Sequence, residues 1–284
     1  MDYVLYADTD SLFLNIGQFI RDQVGPEWDS LKDESKITFI RNIAHTIEKY
    51  VNERIYKEIQ RQAYNSNITD LRIQFKQELI AKAGLFVKKK KYSLLVTNKD
   101  GVSMDEIETK GLEIVRSDTP EVVRPMLVNF MSAILHGASD DELCKIIEKD
   151  KKDLSKVYPE EIASNVGVSS VGKYIENDQP IKGAPWHVKG VLNYRKLLRH
   201  LGLTDKYEDI HDASKTKVVY LKKNKFGAET MSFIRWPKEF DTEIHIDYQK
   251  QIEKTYTGKI RILLEPMKKE GLLDGMQNNL DAFF

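Results

Sequence analysis

"YVLYADTDSLFLNIG", residues 3–17, sets an apolar run on either side of two aspartates one residue apart. Val4-Leu5-Tyr6 and Ser11 to Ile16 have the β-branched and aromatic character of strands, and the Asp-rich residues between them form turns, so the pattern predicts a β-hairpin. By strand alternation, residues i and i+2 share a side, which directs Asp8 and Asp10 to one place. Two converging carboxylates with no Arg or Lys nearby repel. A divalent cation with hard oxygen ligands, such as magnesium, removes that penalty. Asp is also a favoured turn residue, and most Asp-x-Asp triplets bind nothing, so the flanking sequence has to decide.

Outward from the hairpin, a polar stretch with Gly25-Pro26 leads to Ile40, Ile43, Ile47, Val51, Ile55 and Ile59, one face of a long amphipathic helix. Leu71 to Ala81 and Leu85 to Thr97 read as strands, with Asn98-Lys99-Asp100-Gly101 as a turn. From Asp118-Thr119-Pro120 the pattern becomes helical: a capped start, then Val123, Met126, Leu127, Phe130, Met131 and Ile134, with Gly137 as the stop. Ser139 and Glu142 have capping-box spacing and open a second helix. Residues 164–240 are mixed and loop-rich with a helix around Val191 to Leu201, and a last helix is expected over Tyr248 to Leu263 before a polar tail. The fold class is α+β: strands packed on helices over residues 1–115, a mostly helical part with loop-rich insertions over 116–270, and a flexible tail over 271–284.

The 284 residues are 41% hydrophobic and 31% charged, which suits a folded protein. Lys plus Arg equals Asp plus Glu at 44 each, so any case for nucleic acid must be local. One cysteine, Cys144, excludes an internal disulfide and a Cys-rich zinc site and fits a reducing compartment. No apolar run approaches the roughly 18 to 20 residues of a membrane helix, and the start lacks a signal-peptide pattern, so the cytoplasm is expected and a membrane is not.

Two local charge patterns matter. Lys88 to Tyr92, "KKKKY", is a cationic run inside an apparent strand; a solvated edge strand accounts for it, and alternation places Lys90 and Tyr92 on one face with Lys89 and Lys91 on the other. Residues 166–200 hold six basic residues against two acidic ones, with Lys173, Lys182 and Lys189 interleaved with Tyr174, His187, Asn193 and Tyr194. Such a surface can grip phosphates, and Gly172, Gly183 and Gly190 would let backbone amides approach a duplex.

"YADTDSLFL" resembles the YGDTDS motif of B-family DNA polymerases, with Ala7 at the usual glycine. "KKKKY", about 80 residues later, resembles the KKRY segment of that family, "FKQELIA" the palm segment carrying a glutamate near the metals, and "ETKGLEIVRSDTPEVV" the approach to the thumb. "APWHVKGVLNYRKLL", "KKNKFGAETMSFIRWP" and "DYQKQIEKTY" are similar to the thumb of replicative polymerases of T-even-type tailed phages. The resemblance implies that residues 1–115 are the C-terminal part of a polymerase palm and 116–270 a thumb. Asp10 would bind both of two magnesium ions, with Asp8 supporting and Glu78 an accessory carboxylate. Lys90 would donate to minor-groove acceptors shared by all correct base pairs, Tyr92 would pack by the terminal pair, and Lys89 and Lys91 would serve phosphates. The substrates implied are primer-template DNA and deoxynucleoside triphosphates.

The last residues, "QNNLDAFF", place Leu280 and Phe283 on one face of a single 3₁₀ turn, with Gln277 and Phe284 flanking: an apolar plug for a pocket on a sliding clamp. The remaining palm carboxylate, the fingers and the 3′-5′ exonuclease of the family have no counterpart in these residues. The expectation is therefore the C-terminal piece of a polymerase, excised from one or, the preferred reading, naturally split: a chain inactive alone that joins an N-terminal partner across a large apolar interface, in the cytoplasm of an infected bacterial host. Two rivals are a manganese-dependent glycosyltransferase, which needs a nucleotide-binding α/β unit ahead of the triplet, and a non-catalytic DNA-binding, clamp-tethering accessory protein.

Overall fold

Strands β1 (Val4–Asp8) and β2 (Ser11–Leu14) pair antiparallel with Tyr6 opposite Phe13, Ala7 opposite Leu12 and Asp8 opposite Ser11, and a bulge lies between Val4 and Tyr6. The computed structural model describes residues 3–63, 74–112, 118–176 and 179–274. Helices α1 (Gly17–Val24), α2 (Glu27–Ser30) and α3 (Asp33–Ala63) follow. The isoleucine and valine stripe expected from the 3–4 spacing lies on α3, but each of its six residues is only half-buried.

A three-stranded sheet comes next, in the order β3 (Leu79–Lys88), β4 (Lys91–Lys99), β5 (Val102–Lys110). Two-residue loops join its strands, a connection open to antiparallel neighbours. The Asp100-Gly101 loop has φ of 48° and 87°, the paired positive angles of a type I′ turn for which Asp-Gly is suited. Central β4 is buried from Tyr92 to Val96. The expected strand boundaries move: residues 74–78 are outside any strand, and the stretch Leu85 to Thr97 is two strands folded at Lys89-Lys90.

Beyond residue 118 run α4 (Val123–Leu135), α5 (Asp140–Leu154) and α6 (Pro159–Ile162), then β6 (Ser164–Gly167), the short pair β7 (Ile175–Glu176) and β8 (Gln179–Pro180), and α7 (Trp186–Leu201). Strands β9 (Lys215–Tyr220) and β10 (Thr230–Phe233) complete an antiparallel sheet ordered β10-β9-β6. Helix α8 (Tyr248–Ile252) continues through a π-helical turn at Glu253–Thr257 into α9 (Gly258–Leu264), and α10 (Gly271–Asp274) ends the described chain.

The Ser139 capping box forms in full, Ser139 Oγ accepting from the Glu142 N–H at 3.3 Å and the Glu142 carboxylate from the Ser139 N–H at 2.8 Å. The expected cap on α4 does not: its N-cap is Val122 without a side-chain bond, because Thr119 is fully buried and its hydroxyl accepts from Lys259 Nζ at 2.8 Å. The loop-rich stretch carries a sheet because Val219, Met231 and Phe233 find a cover in α7, a long-range pairing. Residues 271–274, placed in a tail by the sequence reading, are helical, with Leu273 2% exposed and Lys269 paired to Asp140 at 2.5 Å.

Two compact units result, residues 1–84 with 93–109 and residues 85–92 with 110–284. In the first, Ile20, Ile80, Leu94, Leu95 and Val96 are buried. In the second, Val188, Val191, Tyr194 and Leu197 of α7 meet Val219, Met231, Phe233, Trp236 and Phe240 in one closed core.

Candidate functional site

Asp8 is the last residue of β1, and Thr9-Asp10 is the whole loop. The alternation that aligned Asp8 with Asp10 therefore does not operate: a tight turn, not a pleat, relates them. The Asp10 N–H donates to the Asp8 carbonyl at 2.6 Å around Thr9, whose φ is 54°. That is a γ-turn of positive φ, strained for a β-branched residue by about 1–3 kcal/mol. Ser11 Oγ donates to the Asp8 carbonyl at 3.1 Å and Thr9 Oγ1 to the Asp8 carboxylate at 3.3 Å. Asp10 is exposed and Asp8 half-buried, so the turn offers acceptor-only oxygens at an exposed tip.

Those oxygens suit a hard cation such as magnesium, but as a partial donor set. Among the described residues no group of three or more His, Cys, Asp or Glu side chains can hold a metal, so Glu78 is not gathered with Asp8 and Asp10. Glu78 is exposed just before β3, its carbonyl accepting from the Asp100 N–H at 2.9 Å. The segment leading to it is held by α3. The Asn52 amide donates to the Phe75 carbonyl at 2.8 Å and accepts from the Phe75 N–H at 2.7 Å, and the Glu48 carboxylate accepts from the Gln77 N–H at 3.2 Å. Sequence reasoning missed this pair, whose only signal is two polar side chains one helical turn apart beside the apolar stripe.

In the lysine run, Lys88 ends β3, Lys89-Lys90 is the loop, and Lys91 begins β4. The expected two-face split of Lys89, Lys90, Lys91 and Tyr92 fails for the same reason as at the aspartates. Lys89 and Lys90 are exposed at the tip, with Lys90 at φ 63°, while Tyr92 is 9% exposed and its ring lies 5.5 Å from that of Phe86.

On the second unit Lys173, Lys182 and Lys189 are exposed. Other residues expected there are packing elements. Tyr194 is 1% exposed and donates to the Glu208 carbonyl at 3.1 Å, and burial pushes its hydroxyl up to about 12. Asn193 donates to the Thr230 carbonyl at 2.8 Å, and Tyr174 leans on the core. His187 is half-buried, edge-on to Trp186 at 6.4 Å, and burial lowers its pKa, which favours a neutral ring over a phosphate-binding cation. Gly190 faces no ligand: a Cβ there would lie 2.4 Å from Ser232 Oγ and 2.7 Å from Ser232 N, so the glycine serves helix-on-strand packing. Residues 277–284, with Gln277, Leu280, Phe283 and Phe284, lie outside the described residues.

A tight two-aspartate hairpin and an exposed lysine turn thus lie on a chain whose profile match is to DNA polymerase family B, over residues 2–179. The chain belongs to that family. The family B match takes in both turns, Glu78 and α4 to α6. The DNA-directed DNA polymerase of Enterobacteria phage T4 is 25% identical over 93% of this chain and 30% of the phage enzyme. DNA polymerase 1 of Pyrococcus abyssi is 29% identical, and the DNA polymerase of Thermococcus gorgonarius 30% identical, each over 56% of this chain and 16% of the relative. The chain spans less than a third of the length of these curated relatives. The phage alignment necessarily extends past residue 179, into the part that carries α7, β9 and β10.

Proposed function

We propose that the chain supplies the end of the palm, the thumb and a clamp peptide to a DNA-directed DNA polymerase, as the C-terminal member of a two-chain enzyme. The observation that carries the reading is the Asp8-Thr9-Asp10 turn, exposed at Thr9 and Asp10, within the family B match. Asp10, assisted by Asp8, would hold magnesium, with Glu78 as an accessory carboxylate. Bound there, two such ions supply activation of a primer 3′-hydroxyl and neutralisation of triphosphate charge. Lys90, at the exposed tip, donates to the minor-groove acceptors common to all correct pairs, and Tyr92 stiffens the base of that tip from its packed position. Lys89, Lys91, Lys173, Lys182 and Lys189 neutralise backbone phosphates, a sequence-independent grip.

The remaining palm carboxylate, the fingers and the exonuclease come from a partner chain. Support for such a covering surface is the apolar exposure of the hairpin itself: Val4 is 46%, Leu5 54% and Leu12 41% exposed. Gln277, Leu280, Phe283 and Phe284 dock on a sliding clamp as an apolar plug. No helix among the described residues is long and apolar enough to cross a membrane.

Primer extension with magnesium and all four deoxynucleotides tests the reading, using the chain alone, the chain with its complement, and the complement with Asp10→Ala. Extension from the unmutated pair alone is expected. Undiminished extension from the Asp10→Ala pair would instead favour the clamp-tethering accessory.

A further inference from the structure

Gly111 sits where the chain leaves β5, and its backbone lies against the lysine turn. Its φ is 65°, and a Cβ built on it would fall 2.1 Å from the Lys90 carbonyl oxygen, 3.2 Å from the Lys90 carbonyl carbon and 3.4 Å from Lys91 Cγ. The nearest obstacles are backbone atoms, which have no rotamer by which to retreat. Both φ and space therefore demand glycine here.

The flanks of this contact are fixed. Leu112 is 3% exposed and Leu85 5%, and Tyr92 packs against Phe86. The compliant element is the exposed loop Lys89-Lys90, where Lys90 holds a left-handed φ of 63° that is uncommon for a lysine.

We propose that Gly111 is a positioning residue for the lysine turn: by having no side chain it seats the Lys90 carbonyl and thereby sets where the Lys90 ammonium meets DNA. The inference rests on the reading of Lys90 as a minor-groove contact. A methyl group at position 111 must drive the turn away by about 1 Å or more to reach an ordinary contact distance. Misplacement of that size costs on the order of tenfold to a hundredfold in a step that depends on alignment. The effect should fall on discrimination, because a displaced Lys90 no longer tests whether the terminal pair offers its acceptor at the correct position.

The test is kcat/KM for extension from matched and mismatched primer ends by the assembled polymerase, for wild type, Lys90→Ala, Gly111→Ala and the double variant. The expected result is that Gly111→Ala loses discrimination about as far as Lys90→Ala, with no further loss in the double variant. Wild-type discrimination in Gly111→Ala, or losses that multiply, would overturn the proposal. Leu112→Ala supplies the stability control: it is expected to lower Tm while keeping discrimination, and an equal loss of discrimination from it would overturn the positioning role. Should Gly111→Ala not yield soluble protein, Lys89→Gly/Gly111→Ala is compared with Lys89→Gly, since the added glycine lets the tip retreat while Lys90 is kept. The same loss is expected there, and its absence is equally contrary. If Lys90→Ala itself leaves discrimination intact, the minor-groove reading fails and this inference with it; if only Gly111→Ala is silent, this inference fails alone.

Discussion

The β1–β2 hairpin and the α7–β10 layer are both short strands beside helices, yet they bury opposite amounts of what they carry. Along β1 and β2 no residue is buried, and Leu5 is 54% exposed. In the other region Val188, Val191 and Phe233 have no exposure at all, and Gly190 is pressed so close to Ser232 that a methyl group has no room. A two-stranded ribbon on its own is marginal in water, whereas a sheet covered by a helix can stand alone. The α7–β10 region thus completes its own core, and the hairpin bearing Asp8 and Asp10 looks for cover elsewhere. Elements of low local stability are where active sites and moving parts are drawn from.

The contrast predicts opposite outcomes for substitutions in the two regions. Asp10→Ala removes a side chain with no core role, so the chain's Tm should stay put while synthesis by the assembled enzyme falls by at least about a thousandfold, some 4 kcal/mol of transition-state stabilisation. A fall in Tm with activity retained would invert the comparison. Gly190→Ala should act the other way, overpacking α7 against Ser232 at a cost of about 1–3 kcal/mol in chemical denaturation. An unshifted midpoint would show that the layer yields more readily than its spacing implies.

Leu5→Ser sharpens the point. In the isolated chain it should change stability by no more than about 0.5 kcal/mol, as at any exposed position. In the assembled enzyme it should weaken association about tenfold, from the apolar area a buried leucine contributes. Equal effects in both states would place the covering surface elsewhere.

The smallest effect concerns His187, whose pKa burial lowers from 6.5. Below that ordinary value the unfolded chain takes up a proton that the folded chain resists. Stability should therefore decline as pH falls through about 6.5 and level off below the folded pKa. His187→Gln should flatten that part of the pH–stability curve, and a curve unchanged by the substitution would mean that the ring's environment does not matter.

What could be read from the residues followed local signals. Asp100-Gly101, the Ser139–Glu142 box and the α3 stripe each carry their own instructions within a few residues, and each forms as expected. The lysine turn reads as strand because Lys89-Lys90 has no turn-forming residue; Lys90 nevertheless takes the left-handed φ of a tight loop, and the chain returns against its carbonyl some twenty residues later at Gly111. Tyr194 and Asn193 look like a phosphate grip in the sequence because polarity says nothing of orientation; partners distant in sequence turn them inward, the Thr230 carbonyl of β10 for Asn193 and the Glu208 carbonyl for Tyr194. At the aspartates the residue types were legible, whereas the γ-turn was not, since a two-residue loop suspends the alternation used to place them.

The central claim, that the aspartate hairpin is completed by a surface beyond these residues, is tested most directly by amide hydrogen exchange over residues 4–14. The chain is measured alone and then in the assembled polymerase, with α7 as the internal standard. The account predicts rapid exchange in the hairpin of the isolated chain, marked protection on assembly, and strong protection of α7 in both. A hairpin already as protected as α7 in the isolated chain, or one still unprotected in an assembly that extends primers, would contradict it.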